Sequence, residues 1–146
     1  MNDKQLTKLL HAMKEKGLKF TPAREIMLKI FLQADDKLLS AADTFDLVRK
    51  ENAKINFSTV YRNLDTLVTN QLIEKITCHD GIRYKLISQK QHHHLMICTH
   101  CHKTEPLPFC PYGELEAFIK NGTDFLPTNH HVEIYGYCKN CRQELK

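Results

Sequence analysis

Residues 56–88, NFSTVYRNLDTLVTNQLIEKITCHDGIRYKLIS, decide how the front of this chain folds. Asn56 is a good helix cap, and Val60, Leu64, Leu67 and Val68 recur at helical spacing. Ser58, Thr59, Tyr61, Arg62 and Asp65 fall largely on the opposite side. Two alternating runs follow, LIEKIT and IRYKLIS, joined by Cys78-His79-Asp80-Gly81, and Asp-Gly between β-like runs signals a hairpin. A capped helix followed by a hairpin describes a winged helix-turn-helix with 57–69 as its recognition helix. Its polar face suits that role: Ser58 and Thr59 can bind phosphate or base edges, Arg62 either, and Tyr61 can pack on a thymine methyl. The plainer reading of the same residues is a solvated helix face.

Upstream, the chain reads as short helices. Leu6, Leu9, Leu10 and Met13 share one face, and Gly17 is a natural stop. Thr21-Pro22 caps and opens a helix that turns Ile26, Met27, Ile30 and Phe31 inward. Ser40 with Asp43 three residues later resembles a capping box, followed by Phe45, Leu47 and Val48.

Downstream of residue 87 the pattern changes. Residues 89–91 read as a polar hinge, HHHLMIC as a strand and TEPLPF as a second extended piece. Pro111 opens a helix through Leu115, Phe118 and Ile119 that stops at Asn121-Gly122, and HHVEIYGYC is a last strand. The expected organisation is a winged-helix DNA-binding domain over 1–87 and an α/β metal-binding dimerisation domain over 88–146. Residues 1–90 carry 16 Lys/Arg against 11 Asp/Glu, and 91–146 carry five against six. A basic front half suits a polyanionic partner such as double-stranded DNA. No apolar run is long enough to span a membrane, and the charged N-terminus lacks the core of a signal peptide. A cytoplasmic location is expected, with the six cysteines read as thiols and metal ligands rather than disulfides.

Cys98-x-x-Cys101 and Cys138-x-x-Cys141 carry the strongest chemical signal. Two intervening residues let both thiolates face one ion, and two such knuckles close a tetrahedral zinc site with no open position. The expected role is structural, stapling two strands together, against the alternative of a redox Cys-x-x-Cys. Cys78 and Cys110 are left over, and Cys110, just ahead of Pro111, reads as packing. Side chains alternate along a strand, so His92 and His94 share a face and form a ready half of a second metal site.

Several motifs together resemble the ferric uptake regulator family of metal-dependent bacterial repressors. They are Gly17-Leu18-Lys19-x-Thr21-x-x-Arg24, Thr59-Val60-Tyr61-Arg62-x-Leu64, His92-His93-His94 ahead of Cys98-x-x-Cys101, and His130 followed by Tyr135-Gly136-x-Cys138. The resemblance spans nearly the whole chain. It implies a homodimer that represses metal-uptake genes from palindromic, AT-rich operators, with Lys19 in the minor groove and Tyr61 and Arg62 in the major groove. It further implies that His92 and His94 are completed by His130, thirty-two residues beyond Cys98, and by an acid near position 113, Glu114 with Glu116 in reserve. Such a nitrogen–oxygen set takes a second zinc, or iron or manganese.

The chain departs from the family at a second, hinge-bridging sensor site. His93 is present, but Leu95, Leu38 and Pro106 stand where further ligands are expected; Glu105, Cys78 and His79 are weak substitutes. Cys110-Pro111 and His130-His131 look more like the zinc uptake regulator branch than the iron branch, so zinc sensing is expected, with iron sensing as the alternative. Two other classes compete. A zinc hydrolase would use the histidine cluster with Glu114 or Glu133 as base, although no H-E-x-x-H is present. A constitutive DNA-binding protein would carry metal at the cysteine clip alone.

Overall fold

The computed structural model describes residues 2–87 and 94–145. His92, His93 and the polar hinge lie outside the described residues. The chain forms two compact units, 1–88 and 89–146, each with its own architecture.

The N-terminal unit packs four helices against a hairpin: α1 (Asn2–Glu15), α2 (Pro22–Ala34), α3 (Ala41–Glu51), α4 (Phe57–Thr69), β1 (Ile73–Cys78) and β2 (Gly81–Leu86). Local chemistry sets the boundaries. Gly17 adopts φ 76° where α1 ends, and the Thr21 side chain accepts from the Arg24 amide as Pro22 opens α2. Ser40 and Asp43 satisfy each other's backbone N–H groups in a full capping box, and Asn56 caps α4 through the Thr59 amide. The inward stripes merge into one core of Met13, Met27, Leu28, Ile30, Phe31, Leu39, Val48, Val60, Leu64, Leu67, Leu72, Ile73 and Tyr84. Phe45 and Leu47 are partly buried against it.

The wing is anchored at three points. β1 and β2 pair antiparallel from Ile73↔Leu86 to Cys78↔Gly81, so His79 and Asp80 form the turn and Gly81 becomes the first residue of β2, at φ 133°. Leu39 exchanges two backbone hydrogen bonds with Tyr84, of 2.8 and 3.1 Å, adding a third strand-like segment. Arg83 reaches Asp43 of the capping box and Asp80 of the turn, both at 3.3 Å, which ties the hairpin tip to α3.

The C-terminal unit holds a three-stranded sheet in the order β4 (Thr104–Pro106), β3 (Leu95–Cys98), β5 (Glu133–Gly136), together with α5 (Tyr112–Gly122) and α6 (Lys139–Glu144). β3 pairs antiparallel with β4 and parallel with β5, with Cys98 opposite Gly136. Among the described residues the strand expected from the histidine run begins at Leu95, and the carbonyl of His94 before it accepts from the Leu107 amide. α6 was not expected: Cys138 caps a short helix instead of continuing the last strand. No residue of α5 is buried within the chain, and its Leu115 and Phe118 are exposed, as are Phe125 and Leu126 beyond it. No helix among the described residues is long and apolar enough to cross a membrane.

Leu64 is fully buried at the centre of the N-terminal core. Leu64→Ala should cost about 2–5 kcal/mol, read as a lower urea midpoint for unfolding of the helical unit. An unchanged midpoint would show that α4 is not seated as described.

Candidate metal centres and nucleic-acid interface

The four clip cysteines converge. Cys98 ends β3, Cys101 lies in the following turn, Cys138 caps α6 and Cys141 sits within it. Their sulfurs all lie within 4.8 Å of one another. Two thiolates bonded to one zinc at about 2.3 Å in a tetrahedron are about 3.8 Å apart, and Cys101 and Cys138 are separated by 3.8 Å. His102, at φ 63°, turns the first knuckle back on itself, while β3 and β5 bring the second knuckle alongside. The arrangement fits a closed tetrahedral ion.

The electrostatics of the clip point the same way. Burial raises the Cys98 thiol, but backbone N–H donors from Cys101, Cys138 and His100 outweigh it and bring the group down to about 6. Burial lifts Cys101 and Cys141, and for Cys141 the neighbouring sulfurs add to the effect. Four thiolates at this spacing cannot all ionise together unless a cation neutralises them, and a divalent ion inverts that balance.

A second donor cluster gathers around Cys110. His94 Nε2 and His130 Nε2 each lie 3.2 Å from its sulfur, and the three donors are mutually within 4.8 Å. His94 is almost wholly buried. Its Nδ1 accepts a 3.1 Å hydrogen bond from the Val132 amide, so the neutral ring carries its proton on Nε2, facing the sulfur. His130 is stacked on Tyr112 with ring centroids 3.9 Å apart, which holds its orientation. Zinc bound by one nitrogen and one sulfur would separate them by roughly 3.6 Å, so these donors need to part by only a few tenths of an ångström. Glu114, exposed in the first turn of α5, is not part of this group, and Glu116 is paired with Lys120 at 2.8 Å.

The remaining candidates disperse. Cys78 is buried at the end of β1 and His79 is exposed at the hairpin turn, while Glu105 is exposed on β4. Among the described residues none of these three joins a metal-binding group. Leu38 and Leu95 are buried hydrophobic side chains. Glu133 accepts from Tyr135 and lies 2.6 Å from His131 Nε2, so its carboxylate is engaged by near neighbours in and just before β5.

The α4 surface presents Ser58, Tyr61 and Arg62 to solvent, with Thr59 half-buried. Lys19 is also exposed, in the turn before α2. Arg24 links the two: its guanidinium donates to the Lys19 carbonyl at 2.7 Å and to the Asn63 side chain at 3.0 Å. Asn63, nearly buried, donates in turn to the Thr59 carbonyl. The offset between the Lys19 turn and the polar face of α4 is therefore held by side-chain hydrogen bonds. Sequence reasoning located Arg24 within a motif but not this bridging role, which depends on the packing of α2 against α4.

Sequence reasoning also missed Cys110 as a partner of His94 and His130. A cysteine immediately ahead of a helix, with histidines sixteen residues before and twenty after it, was the available signal.

Comparison with known proteins bears on both features. The model of the ferric uptake regulator family matches residues 15–135. A ferric uptake regulation protein of Staphylococcus epidermidis is 33% identical over 143 residues, which cover 98% of this chain and 99% of that protein. The Helicobacter pylori ferric uptake regulator, described with three functional metal-binding sites, superposes with a TM-score of 0.72 at 23% identity, covering 97% of this chain and 94% of that one. A zinc uptake regulator complexed with zinc and DNA superposes with a TM-score of 0.70 at 24% identity, over 98% and 96% of the two chains. At those identities the two structures speak for the fold, and the sequence match speaks for the family. The chain belongs to the ferric uptake regulator family, whose members are metal-responsive transcription regulators and not enzymes.

Proposed function

We propose that the protein is a zinc-responsive, homodimeric repressor that binds palindromic AT-rich operators and controls metal-uptake genes. The observation that carries this reading is the convergence of His94 and His130 on one point of the C-terminal unit, separate from the four-cysteine clip. A chain that needed metal for folding alone would not require this second donor cluster. The clip holds a structural zinc, and the second cluster is the sensor, with His92 as a further ligand from the histidine run.

The rest of the chain supports this assignment. Ser58, Tyr61 and Arg62 are exposed on α4 and Lys19 in the turn before α2, where in this reading Tyr61 and Arg62 reach the major groove, Ser58 and Thr59 the backbone or base edges, and Lys19 the narrow minor groove of AT-rich DNA. Exposed Leu115, Phe118, Phe125 and Leu126 in the C-terminal unit provide apolar surface for a second copy. A two-fold dimer then matches a palindromic site. Sensor occupancy acts by binding the DNA-competent arrangement more tightly than the alternative, which is the condition for any ligand to shift an equilibrium.

Zinc added to chelator-treated protein should switch on binding to an AT-rich palindrome, followed by fluorescence anisotropy, as a second zinc per chain is taken up. His130→Ala should retain one zinc and lose the metal-stimulated binding; stimulation equal to the parent would remove the sensor role. Cys138→Ser should unfold the C-terminal unit, because structural zinc contributes folding free energy, and a stable mutant with wild-type zinc content would contradict the clip. Arg62→Ala should weaken specific binding by about 1–3 kcal/mol. An equal loss on all sequences would instead make Arg62 a phosphate contact.

A further inference from the structure

We propose that the Cys110 thiolate is a direct ligand of the sensor ion, in the place that the family resemblance gives to a carboxylate from α5. Among the described residues the site is then a two-imidazole, one-thiolate zinc centre. This deepens the regulator reading and rests on it for its biological meaning, but not for its chemistry.

Three observations converge on the sulfur. Both Nε2 atoms point at it from 3.2 Å, one from the segment before β3 and the other from the segment before β5. Cys110 is thus the hub of the cluster, while the α5 carboxylate proposed for that place, Glu114, stands outside it. The rings are also held in place: His94 is buried and His130 is stacked on Tyr112. Finally, Cys110 lies just ahead of α5, whose N-terminus has no side-chain cap hydrogen bond, and the orphan N–H groups there favour an anionic ligand.

The donor set determines the metal. A thiolate beside two imidazoles is a soft set that selects zinc over manganese or ferrous iron, whereas a carboxylate in the same place admits all three. On binding, the Cys110 proton leaves to solvent. The His94 proton moves from Nε2, which takes the metal, to Nδ1. A protonated Nδ1 could no longer accept from the Val132 amide, so a metal-ligated His94 would give up that contact.

Cobalt(II) is the probe. Protein carrying one zinc per chain in the clip should take up one cobalt(II) with near-ultraviolet thiolate-to-cobalt charge-transfer absorption. Cys110→Ser should still retain its clip zinc, which reports that it folds. It should lose that absorption and bind zinc more than about tenfold more weakly, the effect already expected for removing an outer partner of a metal ligand. Bound zinc should also shield Cys110 of the parent from alkylation, mapped by mass spectrometry. Unchanged absorption and affinity in Cys110→Ser, or full affinity there with the loss falling on Glu114→Gln, would overturn the assignment. Operator binding read on the same samples separates the two claims. Metal-switched binding with a spectrum indifferent to Cys110 defeats the ligand and leaves the regulator. A thiolate signal with metal-indifferent DNA binding supports the ligand and defeats the regulator.

Discussion

The convergence of Cys98, Cys101, Cys138 and Cys141 is the constraint on which the C-terminal unit depends. Among its described residues, full burial is confined to His94, Leu95, Ile97, Cys98, Thr104 and Cys141, and no residue of α5 is more than partly buried. So small an apolar core does not stabilise a unit of this size by itself. The four sulfurs gather between the end of β3 and the start of α6, beside the parallel register in which Cys98 stands opposite Gly136. That register in turn carries the segment before β5 past the segment before β3, which is how His130 comes to lie beside His94.

The N-terminal unit is held by ordinary means. Four amphipathic helices bury a continuous core, and caps at Thr21, Ser40 and Asn56 set where three of them begin. Two arginines then do the positioning that the core cannot. Arg83 joins the hairpin to the capping box of α3, and Arg24 joins the Lys19 turn to Asn63 of α4. The geometry between the Lys19 turn and the exposed face of α4 therefore rests on side-chain hydrogen bonds as well as on packing.

The two donor clusters differ in how they came to be recognisable. Cys-x-x-Cys is a local pattern whose spacing alone places two sulfurs on one ion, so the clip could be read directly. The site around Cys110 has no such pattern. His94, Cys110 and His130 belong to three separate segments, and a cysteine ahead of a proline reads more naturally as packing. The acid expected from α5 was placed by counting from a motif. The helix begins one residue after Pro111, so the first side chain to face the histidines is the one just before it.

Taken by itself, the sequence determined what depends on near neighbours: the helices with their caps, among them the one at 57–69, the hairpin and the four-cysteine clip. Each is set by periodicity, capping chemistry or short ligand spacing, all of which act within a few residues. The tertiary structure decided what depends on distant segments. It placed the hairpin turn at His79-Asp80, made Cys138 a helix cap, bridged Lys19 to α4 through Arg24, and put a thiol rather than a carboxylate between two histidines. The physical reason is that sheet register and helix packing determine which side chains meet across sixteen to forty residues, and no local pattern encodes that meeting.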